Sequence, residues 1–181
     1  MSFPVEKIQC RKGYLRNIDI SDVKSIYEIY SDPEVTIFLD FPPMNNIIHA
    51  ENLIDDILLE YLNGNLLEWA IIAKKNNTLI GTIRFEQWDH KHKHAKVGFA
   101  LTKKWWGKGI MSDLLSSFIR FGFSELDFNR IQANINSSHL ACINLFKKKG
   151  FQKEGILRER YIMDDDVIVF SLLKNELNLV N

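Results

Sequence analysis

The chain has 181 residues, 46% apolar and 25% charged, a balance that suits one compact domain and excludes disordered and collagen-like classes. Lys plus Arg and Asp plus Glu each number 23, so a formal net charge of zero leaves no global field to attract nucleic acid or an anionic membrane. The longest apolar runs, such as residues 69–73, fall far short of the roughly 20 needed to cross a bilayer.

Residues 19–30 open with the cap-forming Asp19 and Ser21 and then place Val23, Ile26, Tyr27 and Tyr30 at helical spacing, until Asp32-Pro33 stops the helix. After the Phe41-Pro42-Pro43 break, Asn45 is the expected cap of a second helix with Ala50, Ile54, Ile57, Leu58 and Tyr61 on one face, ended by Gly64. The apolar segment 38–44 between them is expected to form a surface wall, since paired prolines resist helix and sheet alike. Residues 68–75, 78–88 and 95–102 are rich in apolar and β-branched side chains and read as an antiparallel three-strand meander. Residues 109–123 carry Met111, Leu114, Leu115, Phe118 and Ile119 on one side and predict a helix; residues 130–136 alternate as a strand. Residues 138–149 predict a helix stopped by Gly150, and residues 151–157 and 167–173 predict closing strands. There are no repeats or linkers. Cys10 and Cys142 have neither disulfide-framework nor metal-ligand spacing and no signal-like stretch follows Met1, so a cytoplasmic protein is expected.

The informative stretch is residues 97–112, a strand that passes through Trp105-Trp106-Gly107-Lys108-Gly109 into a helix. Glycines let backbone N–H groups approach a diphosphate, and a helix N-terminus adds unsatisfied donors and about half a positive charge. Lys103, Lys104 and Lys108 add cations. With Tyr30 to Val35, Ile80-Gly81-Thr82-Ile83, Asn129-Arg130-Ile131, Lys148-Lys149-Gly150-Phe151, Glu154 to Arg158, Asp166 and Phe170 in the same order, the chain resembles the GNAT superfamily of N-acetyltransferases, in particular its ribosomal-protein N-terminal acetyltransferase branch. The resemblance covers nearly the whole chain and implies a single N-acetyltransferase domain over residues 1–181. Its fold would be α/β, a mixed, mostly antiparallel sheet flanked by helices, with two splayed parallel strands holding coenzyme A.

The resemblance implies acetyl-CoA as cosubstrate, a primary amine as acceptor and no metal. Its diphosphate would rest on the turn Lys104, Trp106, Gly107, Lys108, Gly109, Ile110 and Met111, with Lys104 where the family usually has Arg or Gln. Pantetheine would lie between the strand bearing Phe99 and Leu101 and the strand ending at Asn136, beside Phe146, and a backbone N–H near Leu101 would stabilise the oxyanion. From the resemblance alone, pairing through the last strand into a homodimer is expected.

Departures from the family bear on catalysis. The common Asn-x-x-Ser is here His139-Leu140-Ala141-Cys142, so Cys142 is either the proton donor to the departing thiolate or a small buried cysteine. The position of a catalytic tyrosine is Phe146, and that of a glutamate base is Lys96. Glu159 and Glu86 are the candidate bases, each with surface solvation as the alternative. His90, His92 and His94 are read as an exposed hairpin tip rather than a metal site. Lys147-Lys148-Lys149 either meets the adenosine 3′-phosphate or is a solvated helix end. The acceptor is expected to be a protein N-terminal amine; a small amine such as a polyamine or antibiotic, and a non-catalytic acyl-CoA-binding protein, are the rival readings, with Asp164-Asp165-Asp166 favouring a cationic acceptor.

Overall fold

A computed structural model describes residues 7–39, 41–160 and 166–179, with the side chains of 178 and 179 outside the description. Alternating strands assemble into one sheet of eight: β1 (Lys7–Gln9), β2 (Gly13–Asn17), β3 (Leu66–Ala73), β4 (Thr78–Asp89), β5 (His94–Leu101), β6 (Arg130–Asn136), β7 (Gln152–Leu157) and β8 (Val167–Leu173). Their order is β1-β2-β3-β4-β5-β6-β8-β7, antiparallel throughout except for β5 beside β6. The expected meander is therefore β3-β4-β5. Leu15 and Arg16, for which the sequence pattern gives no strand, lie in β2, paired with β1 and β3. β1 has three residues and β2 buries only Gly13 and Leu15, too short an alternation to stand out.

Local chemistry sets the helix ends. Ahead of α1 (Val23–Tyr30), the Asp19 side chain accepts from the Ser21 N–H and the buried Asp22 carboxylate accepts from the Asp19 N–H. Arg16 grips Asp22 through two N–H donors at 2.7 Å each. Asp32, which stops α1, caps the short α2 (Pro33–Thr36) through the Glu34 N–H. The cap of α3 (Ile47–Asn63) is Asn46 rather than Asn45, and Gly64 at φ +76° closes the other end. α4 (Ile110–Ser124) and α5 (Leu140–Lys148) follow.

Two apolar layers flank the sheet. On one face, Leu114, Leu115, Phe118 and Ile119 of α4 pack on Trp69, Phe85, Val97 and Ile131, with the Phe85 and Phe118 rings stacked at 4.1 Å. On the other, Ile26, Ile29, Ile54 and Ile57 of α1 and α3 cover Ala70, Ile72 and Ala100. Each large aliphatic or aromatic side chain so buried contributes about 1.5–3 kcal/mol. A Cβ on Gly122 of α4 would stand 2.8 Å from Phe85 and 3.0 Å from Phe128, so this glycine lets the helix lie against the sheet.

Candidate active site

The parallel ladder between β5 and β6 is short. It pairs His94, Ala95 and Lys96 with Arg130, Ile131 and Gln132, although β5 continues to Leu101 and β6 to Asn136. Past Lys96 the two strands part. The Thr102 N–H donates to the Ile80 carbonyl, so alternation along β5 turns the main-chain groups of Val97, Phe99 and Leu101 away from β4 and toward the opening. Across it, Ser137 bonds the Asp166 carbonyl, which leaves the main chain of Asn134 and Asn136 facing β5. Both walls of the opening thus present main-chain donors and acceptors, a match for a ligand with amides of its own.

At the mouth of the opening stands the glycine turn. Gly107 and Gly109 have φ of +69° and +70°, conformations that side chains other than glycine rarely adopt. Gly109 caps α4 with no side-chain hydrogen bond, so the first N–H groups of that helix remain donors for an external anion. Ile110 and Met111 are buried in the core; their contribution to a ligand is their amides. Trp106 donates its indole N–H to the Leu101 carbonyl at 2.6 Å, tying the turn to the end of β5. Lys108 lies over the Trp105 ring at 5.0 Å, and Lys103 pairs with Glu34 of α2 at 2.5 Å. Lys104 is exposed beside the turn.

On the helical wall, Phe146 is buried, its ring parallel to that of Phe99 at 6.1 Å, so the family's tyrosine position is part of the core here. Cys142 is half-buried against the same cluster, and desolvation pushes its thiol up to about 12. That removes the match to a leaving thiol near 8.5 on which an acid role would rest. His139, at the start of α5, stacks on Phe38 of the loop after α2 at 4.0 Å, and burial lowers its pKa. This contact brings the segment 38–44 to the cysteine end of the opening, and no local sequence signal announces it. Elsewhere in that segment the Met44 N–H donates to the Tyr30 carbonyl, and Leu39, Phe41 and Met44 pack under α1.

The register places Glu68, Arg84, Glu86, Lys96 and Gly98 on one face of the sheet, followed across the opening by Gln132, Asn134, Asn136 and Ser171. Arg84 donates to Glu86 at 2.7 Å and stands opposite Glu68, whose buried Oε1 has no hydrogen-bond partner among the described residues. Burial pulls the Arg84 pKa down, but the attraction of Glu68 and Glu86 outweighs it and keeps the guanidinium charged. The same burial, reinforced by Glu68, raises the Tyr30 phenol, which bonds Thr82 at 2.8 Å. Glu159 lies on an exposed turn at φ +48° with its N–H on the carboxylate of Asp166, the residue whose carbonyl Ser137 bonds. Asp164 and Asp165 lie outside the described residues. At the far hairpin, His92 and His94 both turn to Asp89, while His90 contacts the Gly64 carbonyl and stacks on Trp88. No helix of the described residues is long and apolar enough to cross a membrane.

A sheet that opens between two parallel strands, with a glycine turn and uncapped helix amides at the mouth of the opening, suits an acyltransferase that works on a nucleotide-linked thioester. The chain belongs to the GNAT acetyltransferase family: the acetyltransferase (GNAT) domain matches residues 14–152. It is 33% identical to the uncharacterized N-acetyltransferase p20 of Bacillus licheniformis over 95% of this chain and 98% of that one. With the uncharacterized N-acetyltransferase YoaA of Bacillus subtilis it shares 31% over the same proportions. Among solved structures, the ribosomal L7/L12 alpha-N-protein acetyltransferase RimL in complex with coenzyme A superposes with a TM-score of 0.85 at 20% identity, covering 93% of this chain and 98% of that one. The spermidine N-acetyltransferase of Vibrio cholerae in complex with CoA and spermine gives 0.83 at 17%, covering 92% and 98%. The protein is an acetyl-CoA-dependent N-acetyltransferase.

Proposed function

We propose that this acetyltransferase acts on the α-amine at the N-terminus of a protein. Acetyl-CoA lies in the β5–β6 opening, its pantetheine amides on the main chain of Phe99, Leu101 and Asn136 and its diphosphate on the amides from Gly107 to Met111. The neutral amine attacks the acetyl carbonyl, and the Leu101 N–H stabilises the charge that develops on its oxygen. The C–N bond forms, the C–S bond breaks, and the proton that the attacking nitrogen loses reaches the thiolate through solvent, because the Cys142 thiol, pushed up to about 12, is a weaker acid than the coenzyme A thiol it would have to protonate. The amine's own proton leaves to water or to a carboxylate, for which Glu86 on the polar face and Glu159 on the turn are the two candidates. The use of acetyl-CoA as cosubstrate supports a cytoplasmic place of action. The last strand, β8, is paired on both edges, by β6 and β7, and so has no edge free for the expected pairing; the exposed Ile156 and Leu157 on edge strand β7 support pairing into a homodimer there instead.

Fold alone leaves the acceptor open, since the same architecture serves a ribosomal-protein enzyme and a spermidine enzyme. The observation that carries the choice is the charge balance of the polar face. Arg84 and Lys96 stand beside Glu68 and Glu86, and the far side is made of the amides Gln132, Asn134 and Asn136. A polycation gains little from such a floor, whereas a peptide backbone finds partners on it. The test follows coenzyme A release with free and Nα-blocked peptides, spermidine and aminoglycosides, on native protein and on Glu86→Gln and Glu159→Gln. Turnover confined to free N-termini is expected, with more than about a tenfold loss in one of the two variants. Release with spermidine alone would refute it.

A further inference from the structure

One cross-strand row of the polar face runs from Glu68 on β3 through Arg84 on β4 to Gly98 on β5, the strand that borders the opening. Glu68 is only 9% exposed, and its Oε1 has no hydrogen-bond partner among the described residues. A guanidinium whose one task was to neutralise this carboxylate would fork onto it, because a buried carboxylate oxygen left unpaired is destabilising. Arg84 turns to the other side of the row instead. A Cβ built on Gly98 would stand 3.4 Å from the Arg84 Cζ and Nε and 3.5 Å from its Nη2, so the guanidinium lies over that glycine.

Gly98 is what admits it there. An alanine methyl would just touch the guanidinium and a larger side chain would displace it, so the bare backbone lets Arg84 reach the last strand before the opening. Val97 and Phe99, on either side of Gly98, turn their main chain into that opening. Nε is held by Glu86 at 2.7 Å, and no carboxylate or carbonyl of the described residues bonds Nη1 or Nη2. The Tyr30 phenol is near enough for the guanidinium charge to offset part of the rise in its pKa. Two donors of a rigid fork are thus left on the acceptor side of the sheet, on a side chain that is 20% exposed.

Glu68 and Glu86 already balance this cation, so an acidic side chain would meet as much repulsion as attraction. A neutral carbonyl takes the same N–H bonds without that repulsion. The α-amine of a protein carries a carbonyl one carbon away from its nitrogen, whereas a lysine ε-amine or a polyamine has none in that place. We infer that Arg84 is a specificity-determining residue, whose Nη donors bind the carbonyl of the acceptor's first residue while the amine faces the thioester. The inference deepens the α-amine reading above and rests on it. Its consequence is that the enzyme tells an α-amine from an ε-amine by the group behind the nitrogen rather than by charge.

The experiment compares kcat/KM for two peptides with free N-termini, identical except that sulfur replaces oxygen in the first carbonyl of one, since a thiocarbonyl is the poorer acceptor of N–H bonds. Both are run on native protein, on Arg84→Lys, and on a double variant, Arg84→Gln with Glu68→Gln, that leaves the charge of the face unchanged; circular dichroism checks folding. Native protein is expected to prefer the oxygen peptide about tenfold. Each variant is expected to narrow that preference to within about threefold, through loss on the oxygen peptide, while acetyl-CoA binds as before. Equal use of the two peptides by native protein overturns the inference with no variant needed. An equal loss on both peptides in folded variants makes Arg84 a structural residue and overturns it as well. Coenzyme A release with spermidine and with neither peptide would instead sink the α-amine reading itself, a result distinct from equal use of both peptides.

Discussion

Gly107 offers the sharpest separation of ligand binding from folding. Its φ is +69° and a Cβ built on it meets nothing within 4 Å, so Gly107→Ala adds no clash to the protein itself. What it adds is backbone strain, about 1 kcal/mol for an L-residue in the left-handed region. In a chain of this length that lowers Tm by about 2–4 °C. Gly107→Asn, whose side chain tolerates this region, recovers much of the loss. Both variants nevertheless place a Cβ where the diphosphate approaches the amides, and coenzyme A affinity is expected to fall at least tenfold, about 1.4 kcal/mol, in each. Thermal melts paired with calorimetric titration of coenzyme A read the two quantities separately. Should the Asn variant melt like native protein and bind coenzyme A within twofold, the turn does not cradle a diphosphate.

Gly122→Ala gains helix propensity, but its methyl meets Phe85 and Phe128, and overpacking of this kind costs about 1–3 kcal/mol; a Tm at or above native would refute the close packing of α4. Burial lowers the His139 pKa, so between that value and about 6.5 the unfolded chain binds the extra proton. Stability contributed by the neutral ring is therefore complete above this window and is lost as pH falls through it. Melts from pH 7.5 to 5.5 are expected to show a drop that His139→Gln flattens, and an unchanged slope would exclude it. Cys142→Ala is expected to keep kcat within about threefold, since a thiol near 12 is a poor donor. A hundredfold fall would restore it as the acid.

The segments with long, regular patterns were legible in the sequence: the β3-β4-β5 meander, the Gly64 helix stop, the buried stripe of α4 and the glycine turn all rest on contacts within a few residues. What escaped depends on register between distant strands. Nothing near Glu68 or Arg84 announces that β3 and β4 set them opposite one another, and nothing near Arg11 says that its hairpin abuts Asp113, a hundred positions on. The same holds for His139, which meets Phe38 only because α5 ends the opening where the loop after α2 passes. Cys142 was visible as a candidate, but the desolvation that weakens it as an acid comes from packing that periodicity does not reveal.

Among the described residues, three rungs of parallel strand pairing join the β1–β5 half of the sheet to the β6–β8–β7 half, with α4 packed across both. The cosubstrate, lying along the unzipped remainder, becomes a removable strand that completes the seam. Occupancy should therefore stiffen the junction of the two halves more than either half alone, with amide exchange slowing first along β5 and β6. Loading the carrier and assembling the scaffold are, in this architecture, one mechanical event.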